Sequence, residues 1–312
     1  MQPPPDNPAA SSLADIGLRL SNWFERWFPD SFALAMAACA IVFTASLASG
    51  ASPGESAQWF GAGFWDLVAF TMQVTMIIVT GYVVAVSPPV YAVIRRMAVI
   101  PKNGKSAVAF VALFSMLSSL LSWSFSLIFS GLLAREVAHR VAGADYRALG
   151  AAAYLGLGSV WALGLSSSAA LIMAAPASLP DSIEQISGVI PLGQTLGLWQ
   201  SLLMAGVLVG LSMFIAYRSA PGPAQARSMA QMGVTYAPPP ADAGRPDKPG
   251  EWLEYSPLLT LFVSGLGIVY LLREVASSGA SVVLELNHYV FTFLIAGLLL
   301  HWRPRSFVQA VA

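Results

Sequence analysis

Two short stretches place hydroxyl groups inside otherwise apolar runs. Ser122, Trp123, Ser124 and Ser126 interrupt the run 106–134, and Gly164, Leu165, Ser166, Ser167 and Ser168 interrupt the run 148–179. A serine hydroxyl donates one hydrogen bond, accepts two and carries no charge. Beside a helix N-terminus, where backbone N–H groups lack intrahelical partners, such hydroxyls can form a neutral anion site. The helix end favours an anion by about 0.3–1 kcal/mol, and ~2 kcal/mol where partly buried. Each hydrogen bond from a hydroxyl to a charged group adds roughly 1.5–3 kcal/mol. Neither run contains Lys or Arg, so binding at such a site is moderate and reversible, as a carrier requires. Trp123, Phe125, Trp161, Leu165 and Met173 nearby suit a short apolar tail. The ligand class implied is a small anion. The incoming helix ends near Leu121 and Leu163 present carbonyls, which suit Na⁺ or a proton path. A coupling ion, H⁺ or Na⁺, is therefore expected and no cofactor. Serine and glycine also let membrane helices approach closely, and any one of these residues taken alone reads better as packing.

The elements that must position these groups follow from composition. The chain has 312 residues, 56% hydrophobic and 10% charged, against roughly 25% charged in a soluble domain. Several apolar runs reach the roughly 20 residues that one membrane crossing needs. The expected fold is an all-α polytopic membrane protein. Residues 1–30 read as a disordered Pro-rich tail followed by an interfacial amphipathic helix. Its apolar residues Leu13, Ile16, Leu20, Trp23, Phe24 and Trp27 fall on one face, with Ser12 as its cap and Pro29 as its stop. Residues 31–217 form a first repeat. It begins with spans at 32–49 and 65–86, joined by a loop over 50–63. The two interrupted runs follow, then a loop over 180–194 and a span at 195–217. Residues 218–254, with seven prolines, read as a flexible cytoplasmic linker. Residues 255–312 hold a connecting span and the start of a second repeat.

The run 106–134 is too long for one pass and too short for two. Positive charge decides its threading, because cytoplasmic loops carry the excess of Lys and Arg. If the run enters and leaves on one side, every Lys and Arg but Arg273 lies on the cytoplasmic side. If it crosses once, nine of the sixteen fall outside. The first threading obeys the rule. It makes 106–134 a re-entrant hairpin with its tip near Ser122-Trp123-Ser124 and arms of about 14 residues, roughly 21 Å each. The second run then reads as a helix broken at mid-membrane. A re-entrant hairpin beside a broken helix suits an inverted-repeat secondary transporter, whose substrate site lies where half-helices meet.

Other functions are excluded or weakened. Net charge is +0, which leaves no basic field for nucleic acid. The lone cysteine, Cys39, provides neither a disulfide nor a metal cluster. An intramembrane serine hydrolase needs a base at membrane depth, and the two runs contain no His, Asp or Glu; the chain does not read as an enzyme. Asp66 reads as interfacial, Thr71, Gln73, Thr75 and Thr80 as interhelix contacts, His139 and Asp145 as solvated, Glu285 and His288 as outward-facing, and His301 as a boundary residue. The expected partners are a small anion, which the resemblance described next implies to be a small carboxylate, together with membrane lipid and a second copy of the chain in a homodimer.

At FPDSFALAM from Phe28, WFGAGFWDLVAFTMQVTMIIVTGY from Trp59, LAREVAHRVAGADY from Leu133, GVIPLGQTL from Gly188 and FLIAGLLLHWRP from Phe293, the chain resembles the short-chain fatty acid transporters of bacterial inner membranes. The resemblance runs from about Ser21 to the end. It implies uptake of short carboxylates such as acetoacetate or butyrate, by symport with protons or Na⁺. It also implies kinship with a larger ion-transporter superfamily that pairs two hairpins with two broken helices. Against that pattern the chain looks C-terminally truncated, with its second repeat incomplete. The alternative is then an inactive fragment, or a half-transporter completed by another polypeptide.

Overall fold

The computed structural model describes residues 12–165, 167–174, 181–237, 248–279, 282–283 and 286–311. The expected tail over 1–10, Ser166, Glu285 and the part of the expected linker at 238–247 lie outside the described residues, as do the side chains of Ser12 and Asp66. All regular structure among the described residues is helical. The elements are α1 (Ser12–Trp27), α2 (Ser31–Ala48), α3 (Pro53–Val86), α4 (Pro88–Met97), α5 (Gly104–Leu121), α6 (Trp123–Arg140), α7 (Tyr146–Leu155), α8 (Ser168–Ala174), α9 (Asp181–Ser187), α10 (Trp199–Ser219), α11 (Trp252–Tyr255), α12 (Leu258–Ser278), α13 (Leu286–His301) and α14 (Pro304–Val311). Among the described residues four helices are long and apolar enough to cross a membrane, or five if the bent pair α3–α4 counts as one span. The chain is an all-α polytopic membrane protein.

Three expected boundaries change. The loop expected at 50–63 is helix: α3 starts at Pro53, not Trp65. Ser52 caps it by accepting from the Glu55 N–H at 3.2 Å, and Glu55 accepts from the Ser52 N–H at 2.8 Å. Pro53, with its fixed φ, suits the first helical position. The expected loop 180–194 carries α9. In the broken helix, regular α-winding stops at Leu155 rather than Leu163. Gly156–Val160 is a π-turn and Trp161–Leu163 a 3-10 turn. The π-turn is satisfied from outside the helix. Gly156 N–H donates to Ser115 Oγ at 2.9 Å, and Ser115 Oγ donates to the Ala153 carbonyl at 2.6 Å.

α3 and α4 meet at Ser87-Pro88-Pro89 with a 75° bend. The residue before proline is driven out of the helical region, and Ser87 is extended at φ −58°, ψ 143°. The core forms around α5, α6 and α7. Val108, Val111, Ala112 and Met116 of α5 pack with Phe129, Leu132, Leu133 and Val137 of α6 and Leu149 and Ala152 of α7. α10 lies against α5, α3 against α6 and α13, and α12 against α13. In a bilayer this assembly draws little on apolar burial and more on close packing and interhelical hydrogen bonds. Glycines supply the close approach. A Cβ on Gly156 would overlap the Ser115 carbonyl, and one on Gly81 would meet Ile128.

Candidate functional site

α5 and α6 form an antiparallel hairpin turned at one residue. Ser122 is extended at φ −156°, ψ 119°. Its N–H closes α5 on the Ser118 carbonyl at 2.9 Å, and its Oγ caps α6 by accepting from Phe125 N–H at 3.3 Å. Ser126 folds back onto α5, donating to the Ser115 carbonyl at 2.7 Å. The turn therefore falls where the serines predicted it. Each helix has 18 residues, about 27 Å, longer than the expected arm. The excess is polar: α5 begins with Gly104-Lys105, and α6 ends with Arg135, Glu136, His139 and Arg140.

The sequence-predicted site residues divide. Ser122 and Ser124 sit together at the tip, their hydroxyls 3.2 Å apart. Trp123 is half-buried between them. Ser126 is fully buried and bonded into the hairpin interior, so it packs the arms and does not reach the tip. Gly164 is extended at φ −127°, ψ −168°, and a Cβ there would overlap the Leu120 carbonyl. The break in the second run is thus seated on the end of α5. Ser167 is buried; its N–H donates to the Gly164 carbonyl at 2.9 Å and its Oγ accepts from Ala170 N–H at 3.3 Å. It serves the turn into α8. Ser166 and the side chain of Ser168 lie outside the described residues. α8 is described over Ser168–Ala174, and the remainder of the second half-helix expected to Leu179 lies outside the described residues.

One residue at the tip escaped sequence reasoning. Tyr289 of α13 is hydrogen-bonded to Ser122 Oγ, and Ser124 Oγ donates to its phenol oxygen at 3.2 Å. Its ring packs edge-on against Phe293 with centroids 4.5 Å apart. α13 is held at both ends against α3. Gln73 donates to Asn287 Oδ1 at 2.8 Å, as an interhelix contact, and His301 Nε2 is 2.8 Å from the Val83 carbonyl. That carbonyl can only accept, so Nε2 carries the proton and Nδ1 accepts from the Ser306 hydroxyl at 2.9 Å. His301, the last residue of α13, is thus a buried tie between helices. A lone tyrosine in an apolar run has no sequence signature. The three hydroxyls of Ser122, Ser124 and Tyr289 converge at the N-terminus of α6 without a cation among them.

This site belongs to a helical membrane protein with a one-residue hairpin turn, a π-distorted neighbouring helix and a hydroxyl-lined tip. The short chain fatty acid transporter family matches residues 12–312, and the chain belongs to that family. It is 33% identical over 302 residues to a protein of Escherichia coli named "Putative short-chain fatty acid transporter", covering 96% of this chain and 67% of that one. A relative of the same name in Haemophilus influenzae is 29% identical over 307 residues, covering 96% of this chain and 68% of that one. The chain thus spans about two thirds of the length of both relatives. No solved structure matches.

Proposed function

We propose that the chain carries short-chain monocarboxylates of the size of butyrate or acetoacetate across the bacterial inner membrane, by symport with H⁺ or Na⁺. The reading makes the N-terminus, the base of the hairpin and residues 218–237 cytoplasmic, and the hairpin re-entrant. The observation that carries it is the convergence of Ser122, Ser124 and Tyr289 on the N-terminus of α6. These hydroxyls satisfy one another. A carboxylate accepts several hydrogen bonds at once, so it can take over the O–H groups that now point at each other. The anion is then held by neutral donors and the α6 dipole. With no Lys or Arg in the run, release needs no ion pair to be broken. The half-buried Trp123 and Phe125 offer a short apolar tail a surface and leave a long one unaccommodated. The chain is read as a carrier and not an enzyme.

Equilibrium binding of labelled butyrate to the purified chain tests this. Binding is expected to saturate, to be competed by acetate and acetoacetate, and to be indifferent to methyl butyrate, which lacks the charge. Absence of saturable binding, or equal competition by the ester, would overturn it. For topology, Arg140→Cys in a Cys39→Ser background is expected to react only with reagent applied from the cytoplasmic side. Reaction from the outside would end the re-entrant reading.

A further inference from the structure

The segment expected to be a flexible linker is, over 220–237, tied down across the base of the hairpin. One fastening is built on Asp145, which is 2% exposed instead of solvated as expected. Its carboxylate accepts from Arg147 Nη2 at 2.6 Å, from the Arg227 N–H at 3.0 Å and from the Ala148 N–H at 3.0 Å, so it also caps α7. Tyr146 N–H donates to the Arg227 carbonyl at 2.9 Å, and Arg147 donates to the Gln225 carbonyl at 3.3 Å. Gln225 in turn donates to Asp15 of α1 at 3.3 Å. The second fastening is built on Glu136, which has no solvent exposure. Its carboxylate accepts from the phenols of Tyr91 on α4 and Tyr236 in the segment, and from Arg140 Nε at 3.1 Å. His139 stacks on Tyr236 with centroids 4.1 Å apart and planes 5° apart, and Arg135 donates to the Ala237 carbonyl at 3.1 Å.

Glu136 stands on the buried stripe of α6 with Phe129, Leu132, Leu133 and Val137. A carboxylate there adds little stability over an apolar residue of the same shape, but it gives a directional tie that only matched donors can satisfy. Its donors come from three separate elements. Removing it leaves two phenols facing an empty acceptor position. Both phenols are neutral donors, so the tie does not depend on a second titrating partner.

We propose that residues 220–237 are a clasp locking the base of the hairpin, with Glu136 as its pin, a positioning residue that joins α4, α6 and the clasp into one body. The clasp stays shut while the tip engages a ligand, a consequence that rests on the carrier reading above. Met229 lies within the clasp and is 6% exposed, so Met229→Cys in a Cys39→Ser background reports its opening by reaction with a maleimide. In the otherwise unaltered full chain the thiol is expected to react slowly compared with the same probe at the exposed Gln231. Glu136→Ala is expected to speed the reaction by roughly tenfold or more, and Tyr236→Phe, which keeps the ring on His139, by a few-fold. Glu136→Gln keeps the shape and the acceptor for the phenols, so it should restore most of the protection lost in the alanine variant. Glu254→Gln, which removes an exposed ion pair to Arg305, should leave the rate unchanged. Butyrate should not alter the rate. Fast reaction in the unaltered chain, no response to Glu136→Ala, or acceleration by butyrate would overturn the proposal. A chain that binds no butyrate refutes the carrier reading and leaves the comparison of variants as the test of the clasp.

Discussion

The two ends of the hairpin are built from opposite chemistry. At the tip, three uncharged hydroxyls meet at a single-residue turn, Ser124 buried and Ser122 and Tyr289 half-buried. At the base, two buried carboxylates are each surrounded by donors from several elements. The tip's groups can exchange partners with little electrostatic cost, because neutral hydrogen bonds are worth about 0.5–1.5 kcal/mol net. The base cannot, because a buried carboxylate that loses its partners keeps its desolvation cost. On the proposed reading, a loosely satisfied end and a tightly satisfied end of one hairpin give a ligand-responsive tip on a fixed stem.

The comparison breaks first where the rod is seated. Gly156→Val and Gly164→Val place a side chain on the carbonyls of Ser115 and Leu120. Each is expected to cost roughly 3 kcal/mol or more, since backbone cannot yield as a side-chain end can. Thermal unfolding in detergent measures it, and a shift no larger than that of Gly206→Val, where a Cβ meets open space, would show that the hairpin is not wedged there.

A smaller effect sharpens the tip. Ser122→Ala removes the cap of α6, worth about 1 kcal/mol, and also one hydroxyl of the site. Tyr289→Phe keeps the packing on Phe293 and removes only a phenol O–H, so stability should change by less than ~1 kcal/mol. Butyrate affinity should nonetheless fall roughly tenfold in both variants. Equal affinity in either variant would separate the tip from the ligand.

The smallest effect concerns pH at the base. Burial pushes the Asp145 carboxyl upward, but the Arg147 guanidinium and the N–H groups of Arg227 and Ala148 outweigh it and hold it below its ordinary 3.8. A carboxyl depressed in the folded state contributes stability above its ordinary value and loses it as pH falls through the folded one. Exposure of the clasp should therefore be flat from about pH 8 to pH 5 and rise only below the ordinary carboxylate range. Hydrogen exchange at the Arg227 N–H measures it, and a rise between pH 7 and 5 would contradict the assignment.

What the sequence revealed, and what it hid, follows the same division. Apolar run length disclosed the spans, and the cluster Ser122-Trp123-Ser124 disclosed the turn, because both are local properties of the chain. The start of α3 was also written locally, in Ser52-Pro53-Gly54-Glu55, and was obscured by reading Pro and Gly as loop. The contacts of residues 220–237 with the base of the hairpin were hidden because proline and small residues suggest flexibility, whereas the carboxylates that make those contacts, Asp145 and Glu136, are distant in sequence. Glu136 did carry a signal: it falls at helical spacing between Leu132 and Val137, on the apolar side of α6. Tyr289 carried none, because its role exists only once α13 lies beside a hairpin more than 160 residues earlier in the chain.

The central claim is that the hairpin tip recognises a short carboxylate through neutral hydroxyls. Its most direct test is labelled-butyrate binding to the double variant Ser122→Ala, Tyr289→Phe beside the unaltered chain, with thermal unfolding to confirm that both are folded. The account predicts saturable binding by the unaltered chain and a loss of roughly tenfold or more in the folded double variant, whose two sites are coupled by their own hydrogen bond. Unchanged binding by that variant would contradict it.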